Sequence, residues 1–221
     1  MKYIRFCLLI VCTLVLLPSV AQASAITEQV NRHYANMSSL KADFTQELRH
    51  KESGSVENRS GVFFLKKPLL VNWDTQNPTP EQLIISKDKI WNIFPDELLA
   101  YTYPLEVVSD SRNIIQVITG QSSLDETFSI EGETQEGSLT KLHLFPHESV
   151  QSLTEAFLWV DAAGLIHKIT IFDFFGNRNT ITFSNHRIGT PLDASLFTFT
   201  PPKGYEVEHK DMESIQNTLL Q

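Results

Sequence analysis

The chain has 221 residues, 42% apolar and 20% charged, with 18 Lys and Arg against 26 Asp and Glu and a formal net charge of −8. That length makes one ordinary domain or two small ones, and the acidic balance repels nucleic-acid phosphates and anionic lipid surfaces, so nucleic acid is not expected as a partner. Nine Gly and ten Pro are too few for a low-complexity linker, and the apolar content excludes a disordered chain.

Residues 1–23 differ in kind from the rest. Lys2 and Arg5 form a basic start, Phe6 to Leu17 is almost wholly apolar, Pro18 breaks the run, and Ala21-Gln22-Ala23 or Ala23-Ser24-Ala25 places small residues at −3 and −1. This pattern predicts a secretory signal cleaved after Ala23 or Ala25. A membrane-spanning helix needs about 20 apolar residues, and the run is shorter. A lipid attached at Cys12 is disfavoured by the bulk of Val11 before it. Loss of Lys2 and Arg5 leaves 16 basic against 26 acidic residues, a net charge of −10, and Cys7 and Cys12 leave with the signal. The remaining 24–221 is predicted as one cysteine-free domain with a short tail, 209–221. At about 198 residues it can bury roughly 70% of its unfolded surface and needs no disulfide. Thiol catalysis, iron–sulfur clusters and cysteine-ligated zinc are excluded.

The mature chain opens with a helical pattern from Ala25 to Met37, in which Ile26, Val30, His33, Tyr34 and Met37 recur at spacings of three and four, with Thr27 as the expected N-cap. From Leu40 the period changes to two. Short strands are predicted over 40–46, 59–65, 69–74, 82–86, 89–94 and 98–103, punctuated by Pro68, Asn77-Pro78-Thr79-Pro80, Lys87-Asp88 and Pro95-Asp96. Val107, Val108, Ile114, Ile115 and Ile118 fit a short helix or two, ended by Gly120. Strands resume over 126–131, 139–145, 155–160, 166–173 and 178–187, joined by turns at Glu136-Gly137, Asp161 to Gly164 and Gly176-Asn177. About eleven strands with short connections predict one large antiparallel sheet, curled or closed, with helices on one face. Three Trp and fourteen Phe, all but Phe6 beyond the signal, are spread over nearly every strand. They either fill a core or line a cavity in a strongly curved sheet, and composition does not choose between these.

Catalytic signatures are absent: there is no G-x-S-x-G, G-x-G-x-x-G, Gly-Lys-Ser phosphate loop or H-E-x-x-H. His143 and His147 are four apart, but Pro146 and the alternation through Leu142 and Leu144 oppose a shared helical face, so two exposed strand-end histidines are expected in place of a metal pair. The acidic pairs read as solubilising surface. No enzyme, metal or cofactor is expected.

Three segments carry a family pattern. The first is Leu40-Lys41-Ala42-Asp43-Phe44-Thr45-Gln46 after a short helix. The second is Gly61-Val62-Phe63-Phe64-Leu65-Lys66-Lys67-Pro68, running on through Asn72-Trp73-Asp74 to Ile90-Trp91. The third runs from Phe174-Phe175-Gly176-Asn177 through Thr180-Ile181-Thr182-Phe183-Ser184-Asn185 and Pro191-Leu192-Asp193 to Pro201-Pro202-Lys203-Gly204-Tyr205-Glu206-Val207. Together they resemble the LolA family, periplasmic carriers that ferry lipoproteins from the inner to the outer membrane of Gram-negative bacteria, over nearly all of residues 25–208.

The resemblance implies an unclosed antiparallel β-barrel of eleven strands with an α-helical lid, and an aromatic-rich inner face that holds lipoprotein acyl chains. It implies three partners: the lipoproteins themselves, an inner-membrane ABC transporter that supplies them, and an outer-membrane receptor of similar fold. A monomer without cofactor is expected, as is a periplasmic location. Cavity and lid are expected to draw on Phe63, Leu65, Val71, Trp73, Trp91, Ile114, Ile115 and Ile118; Phe63, Leu65, Lys67, Val71 and Trp73 share a face if register continues through Pro68. Val71 stands where the family often carries a larger apolar residue near the cavity entrance. Family carriers usually have arginine at the Lys67 position, where it is implicated in hydrogen-bonding the closed lid. A lysine lacks the planar fork of five donors, so the latch is expected to be weaker here, or Lys66 and Lys67 to be ordinary solvated strand ends. A sensor domain of the same fold, or a carrier for another amphiphile, is the competing reading.

Overall fold

The computed structural model describes residues 24–106, 114–148 and 150–211. The predicted signal 1–23, Val107 and Val108, the side chain of Ile114, and the tail from Met212 onward lie outside the described residues.

Helix α1 (Ala25–Asn36) is capped by Ser24, whose side chain accepts from the Thr27 amide. Thr27 itself, expected as the cap, is buried under the first turn; the cap needs extended backbone, which Ser24 has and Thr27 lacks. Twelve strands follow: β1 (Ser39–Arg49), β2 (Val56–Lys66), β3 (Leu70–Asn77), β4 (Glu81–Ile85), β5 (Ile90–Phe94), β6 (Leu99–Tyr103), β7 (Phe128–Glu136), β8 (Leu139–Pro146), β9 (Glu155–Val160), β10 (Ile166–Phe172), β11 (Arg178–Ile188) and β12 (Glu206–His209). Between β6 and β7 stand the short helices α2 (Ile114–Thr119) and α3 (Leu124–Thr127). Ser123 and Glu126 close a reciprocal capping box on α3.

All twelve strands form one sheet in the order β12-β6-β5-β4-β3-β2-β1-β11-β10-β9-β8-β7. Its edges, β12 and β7, do not pair, so the barrel is unclosed. The eleven predicted strands are all present. The twelfth, β12, is added in parallel to β6, with Val207 opposite Ala100. All other pairings are antiparallel hairpins, except that β1 also bridges the two halves by pairing with β11.

Alternation puts one side of every strand on the concave face. There Phe44, Phe63, Leu65, Val71, Leu142, Leu144, Leu158 and Ile169 join Val30 and Tyr34 of α1, Val117 and Ile118 of α2 and Leu124 of α3 in one core. Each fully buried Phe, Leu or Ile contributes about 1.5–3 kcal/mol. A second, smaller core of Ile84, Trp91, Ile93 and Ala100 lies on the outer face of β4–β6, covered by Phe199, Tyr205 and Val207.

Candidate functional site

The β2–β3 hairpin turns at Lys67-Pro68, so register does not run on through the proline. Cross-strand pairing still gathers the expected set: Phe63 is opposite Trp73, and Leu65 opposite Val71, all on the concave face. The Trp73 ring lies 4.4 Å from Phe44, 5.3 Å from Phe63 and 6.1 Å from Phe183, with Phe63 and Phe183 5.8 Å apart. Trp73 and Phe183 of this aromatic group line an apolar cavity of about 450 Å³, with Phe44 and Phe63 packed behind Trp73. Ile169 and Ile171 of β10, Ile181 and Phe183 of β11, and Leu48 and Leu153 form its walls, and Ile115 and Ile118 of α2 close it from above. Its rim is polar: Arg49, His50, Asp173, Asn177 and Arg178.

Of the residues singled out in the sequence, Trp73, Ile115 and Ile118 line this cavity, and Phe63 supports Trp73 from the core. Leu65 and Val71 are fully buried in the core, away from any entrance. Trp91 is not on the concave face at all: it is opposite Ile84 and Thr102, and its ring packs 5.2 Å from Phe199 in the outer core. The physical reason is parity, because β5 is apolar on both faces and Ile90 takes the inward position. Ile114 starts α2, but its side chain lies outside the described residues. The walls Ile169, Ile171, Ile181 and Phe183 were missed, although their alternation in β10 and β11 is as plain as that of β2 and β3.

Lys67 reaches across the end of the sheet to α1. Its ammonium donates to the carbonyl oxygens of Tyr34 and Ala35, the latter at 3.1 Å. These are unsatisfied carbonyls of a helix C-terminus, where the macrodipole favours a cation. Burial holds the Lys67 pKa below its ordinary value. Gly120, just after α2, has φ +69°, and a Cβ there would meet both the Lys67 ammonium and, at 2.7 Å, the Tyr34 carbonyl oxygen. One lysine thus holds α1 where α2 ends. On its other side α1 is tied down by the Tyr34 hydroxyl, which accepts from the Ile166 amide at 3.1 Å. Asn31 donates to Asp125 and accepts from the Leu124 amide, both at 2.7 Å, linking α1 to α3.

A larger groove of about 760 Å³ lies on the outer face of β8–β11 and β1–β2. The Lys141 and Lys168 ammoniums stand 5.1 and 4.0 Å from the Trp159 ring centroid, and Arg178 pairs with Glu47 at 2.7 Å. Ion pairs and threonine hydroxyls share its lining with Phe157, Trp159 and Phe172, so hydrocarbon entering it would strip water from charged and hydroxyl groups.

A histidine group sits where α1 meets the sheet. His167 on β10 contacts Asp161 at 3.0 Å and the His186 ring at 4.8 Å. Asp161 also acts on His33 of α1 electrostatically. Burial holds both His33 and His186 below the ordinary imidazole value, and their Nε2 atoms have no protein partner. His143 is engaged by Glu155 at 2.7 Å and stacked on Phe157. Among the described residues no group of three or more His, Cys, Asp or Glu is arranged to hold a metal ion, and no helix is long and apolar enough to cross a membrane.

Comparison with known proteins agrees with this architecture. The family profile described as "Outer membrane lipoprotein carrier protein LolA" matches residues 35–200. The outer-membrane lipoprotein carrier protein of Pseudoalteromonas translucida is 28% identical over 214 residues, covering 94% of this chain and 97% of the relative. That of Methylococcus capsulatus is 30% identical over 176 residues, covering 76% and 80%. Among solved structures, an uncharacterized conserved protein from Thermus thermophilus superposes with a TM-score of 0.55 at 14% identity, covering 84% of this chain and 97% of that one; at that identity the likeness concerns the fold alone. With the profile spanning most of the chain, one relative matching nearly end to end and another 30% identical over three quarters of it, the chain belongs to the LolA family of outer-membrane lipoprotein carrier proteins.

Proposed function

We propose that the protein is a periplasmic carrier that shields the acyl chains of lipoproteins, receiving them from an inner-membrane ABC transporter and passing them to an outer-membrane receptor. The observation that carries this reading is the apolar cavity between the concave sheet and α2, lined by Trp73 and Phe183, backed by Phe44 and Phe63 and bounded by Ile115 and Ile118. Each acyl methylene exposed to water costs about 0.8 kcal/mol, so a lipid anchor cannot cross an aqueous space uncovered. An aromatic and aliphatic pocket substitutes one apolar solvent for another and makes no distinction among cargo proteins, whose lipid parts are alike. Because pocket and bilayer are similarly favourable, extraction needs an external energy source while hand-over needs only a somewhat better acceptor.

In this reading residues 1–23 direct secretion and are removed, the protein acts as a monomer, and its net acidity keeps it off anionic membranes and nucleic acid. Its role is binding, not catalysis. Lys67 serves as the lid latch through α1, in the place where the family usually has arginine.

The test is to isolate the processed protein from its native periplasm and identify bound species by native mass spectrometry. Acylated lipoproteins support the carrier reading. Free lipids alone, or an empty protein even after depletion of the outer-membrane receptor, would sink it and favour a carrier for another amphiphile.

A further inference from the structure

The groove on the outer face of the sheet begins where the apolar cavity ends. Arg178, at the start of β11, belongs both to the rim of the cavity and to the lining of the groove. Its Nη2 donates to Glu47 at 2.7 Å, while its Nε is buried with no hydrogen-bond partner. From there the groove runs along β11 to Thr182, four residues on, a distance of about 13 Å at about 3.3 Å per residue. Register builds its floor in two cross-strand rows. Phe157, Thr170, Thr180, Glu47 and Asn58 form the row nearer Arg178; Lys141, Trp159, Lys168, Thr182, Thr45 and Ser60 form the next, across β8, β9, β10, β11, β1 and β2. The hydroxyls and the Asn58 amide offer donors and acceptors that suit the main chain of any extended peptide. Lys141 pairs with Glu136 at 3.3 Å, and the Trp159 indole donates to the same carboxylate at 2.7 Å. Lys168 stands over Trp159 and makes no ion pair among the described residues, although Glu136 lies within its electrostatic reach.

We propose that this groove holds the first residues of the cargo polypeptide, the segment bonded to the acyl chains in the cavity, and that it favours acidic side chains there. The inference rests on the carrier reading for its occupant and on the groove's own geometry for its chemistry. An acyl chain lodged against Trp73 and Phe183 leaves its attached peptide at the polar rim, and the groove continues from that rim through a shared arginine. Four to five extended residues, at about 3.3–3.6 Å each, carry the peptide from Arg178 to the row of Lys168. There the hydroxyls engage its main chain whatever its sequence, and the unpaired ammonium of Lys168 attracts a carboxylate. The molecule as a whole has 26 acidic and 18 basic residues, so its long-range field repels an acidic peptide. A preference for acid must therefore come from the groove's own cations.

The test compares two lipopeptides on delipidated protein processed in a Gram-negative host from the full-length chain. Each carries one palmitoyl chain on the amino terminus of a Ser/Gly octapeptide, with Asp at the fourth and fifth positions in one and Lys in the other, and binding is read by fluorescence anisotropy of a label at the carboxyl terminus. The acidic lipopeptide should bind roughly fivefold more tightly. Lys141→Gln/Lys168→Gln should erase that difference while leaving the affinity for free palmitate, read by displacement of a hydrophobic dye, unchanged; Lys141→Arg/Lys168→Arg should preserve it. The acidic peptide without its palmitoyl chain should bind about a hundredfold more weakly, because the chain no longer tethers it beside the groove. Equal affinity of the two lipopeptides for the wild type, or a difference that survives in the glutamine variant, overturns the proposal. A lipid-free peptide that binds as tightly as the lipidated one also overturns it, since the groove would then serve a separate partner. Failure of palmitate to displace the dye would sink the carrier reading and the groove's role with it, whereas loss of the peptide preference with palmitate still bound overturns the groove alone.

Discussion

Replacing Lys67 by leucine separates latching from folding. The substitution keeps an apolar stem of similar width and removes the ammonium that holds the Tyr34 and Ala35 carbonyl oxygens. A hydrogen bond to a charged donor contributes about 1.5–3 kcal/mol when buried, and a cation at a helix C-terminus about 0.3–1 kcal/mol. Lys67 is half-buried and the freed carbonyls regain water, so the net loss is about 1–2 kcal/mol, a factor of roughly 5–30 in the seating of the α1 C-terminus against which Gly120 closes the end of α2. In a chain of this size the same loss moves the thermal midpoint only about 2–8 °C. Hydrogen exchange followed by mass spectrometry should show faster exchange in peptides of α1 and α2 while the sheet is unchanged, and cargo transfer to the receptor should accelerate by the same factor. Lys67→Arg should act oppositely, because a planar guanidinium fork holds the two carbonyls in a fixed geometry, whereas the lysine ammonium reaches them as a mobile point charge. Unchanged exchange in α1 together with an unchanged transfer rate would refute the latch.

Three further outcomes follow from the same geometry. Gly120→Ala forces a side chain into the left-handed region and against the Tyr34 carbonyl, which should cost about 1–3 kcal/mol and raise exchange in α2 first. Trp91→Ala should cost about 3–5 kcal/mol in chemical denaturation without altering hydrophobic-dye affinity of the folded protein, since Trp91 is on the outer face; a dye affinity that falls in proportion would return it to the cavity. For pH the sign is set by His33 and His186, which burial holds below the ordinary value near 6.5. The unfolded chain then binds more protons, so their contribution is complete above the unfolded pKa and is lost as pH falls through it toward the folded values. The thermal midpoint should fall between pH 7 and 5, and His33→Gln/His186→Gln should flatten that slope; an equally steep slope in the double variant would contradict the assignment.

The strands were legible because a sheet of hairpins writes its alternation and its turns locally. Strand β12 was not, since Glu206-Val207-Glu208-His209 is short and charged and pairs in parallel with β6, about a hundred positions earlier in the chain. The cavity was legible in part. Alternation puts Trp73 with Phe63 on one face but does not say which face is inside, and in β5 both faces are covered, so Trp91 could not be assigned. The Lys67 contact depends on where α1 ends in space, and the histidine group combines α1, β10 and β11; no local pattern marks either.

The size of the cavity bears on how a carrier with this lid works. At roughly 30 Å³ for each group the size of a water molecule, about 450 Å³ accommodates about 15 methylenes, whereas the three acyl chains of a lipoprotein hold on the order of 45. A cavity of that size has room for one chain, so in the carrier reading loading must displace a wall. The sheet is a continuous hydrogen-bonded ladder, and α1 is tied by Lys67, Tyr34 and Asn31. Helix α2 has six residues, too few to be helical without packing, and is the wall that gives. Lifting it uncovers Ile115, Val117 and Ile118, at a cost of about 4–7 kcal/mol, which about nine buried methylenes offset at about 0.8 kcal/mol each. A single acyl chain therefore suffices to hold the lid open. In the carrier reading, when the last chain leaves, Ile115, Val117 and Ile118 fall back onto the core and the cavity walls, and that recovered burial opposes recapture. On that reading hand-over gains a direction from the carrier's own closure, without any difference in hydrophobicity between carrier and acceptor.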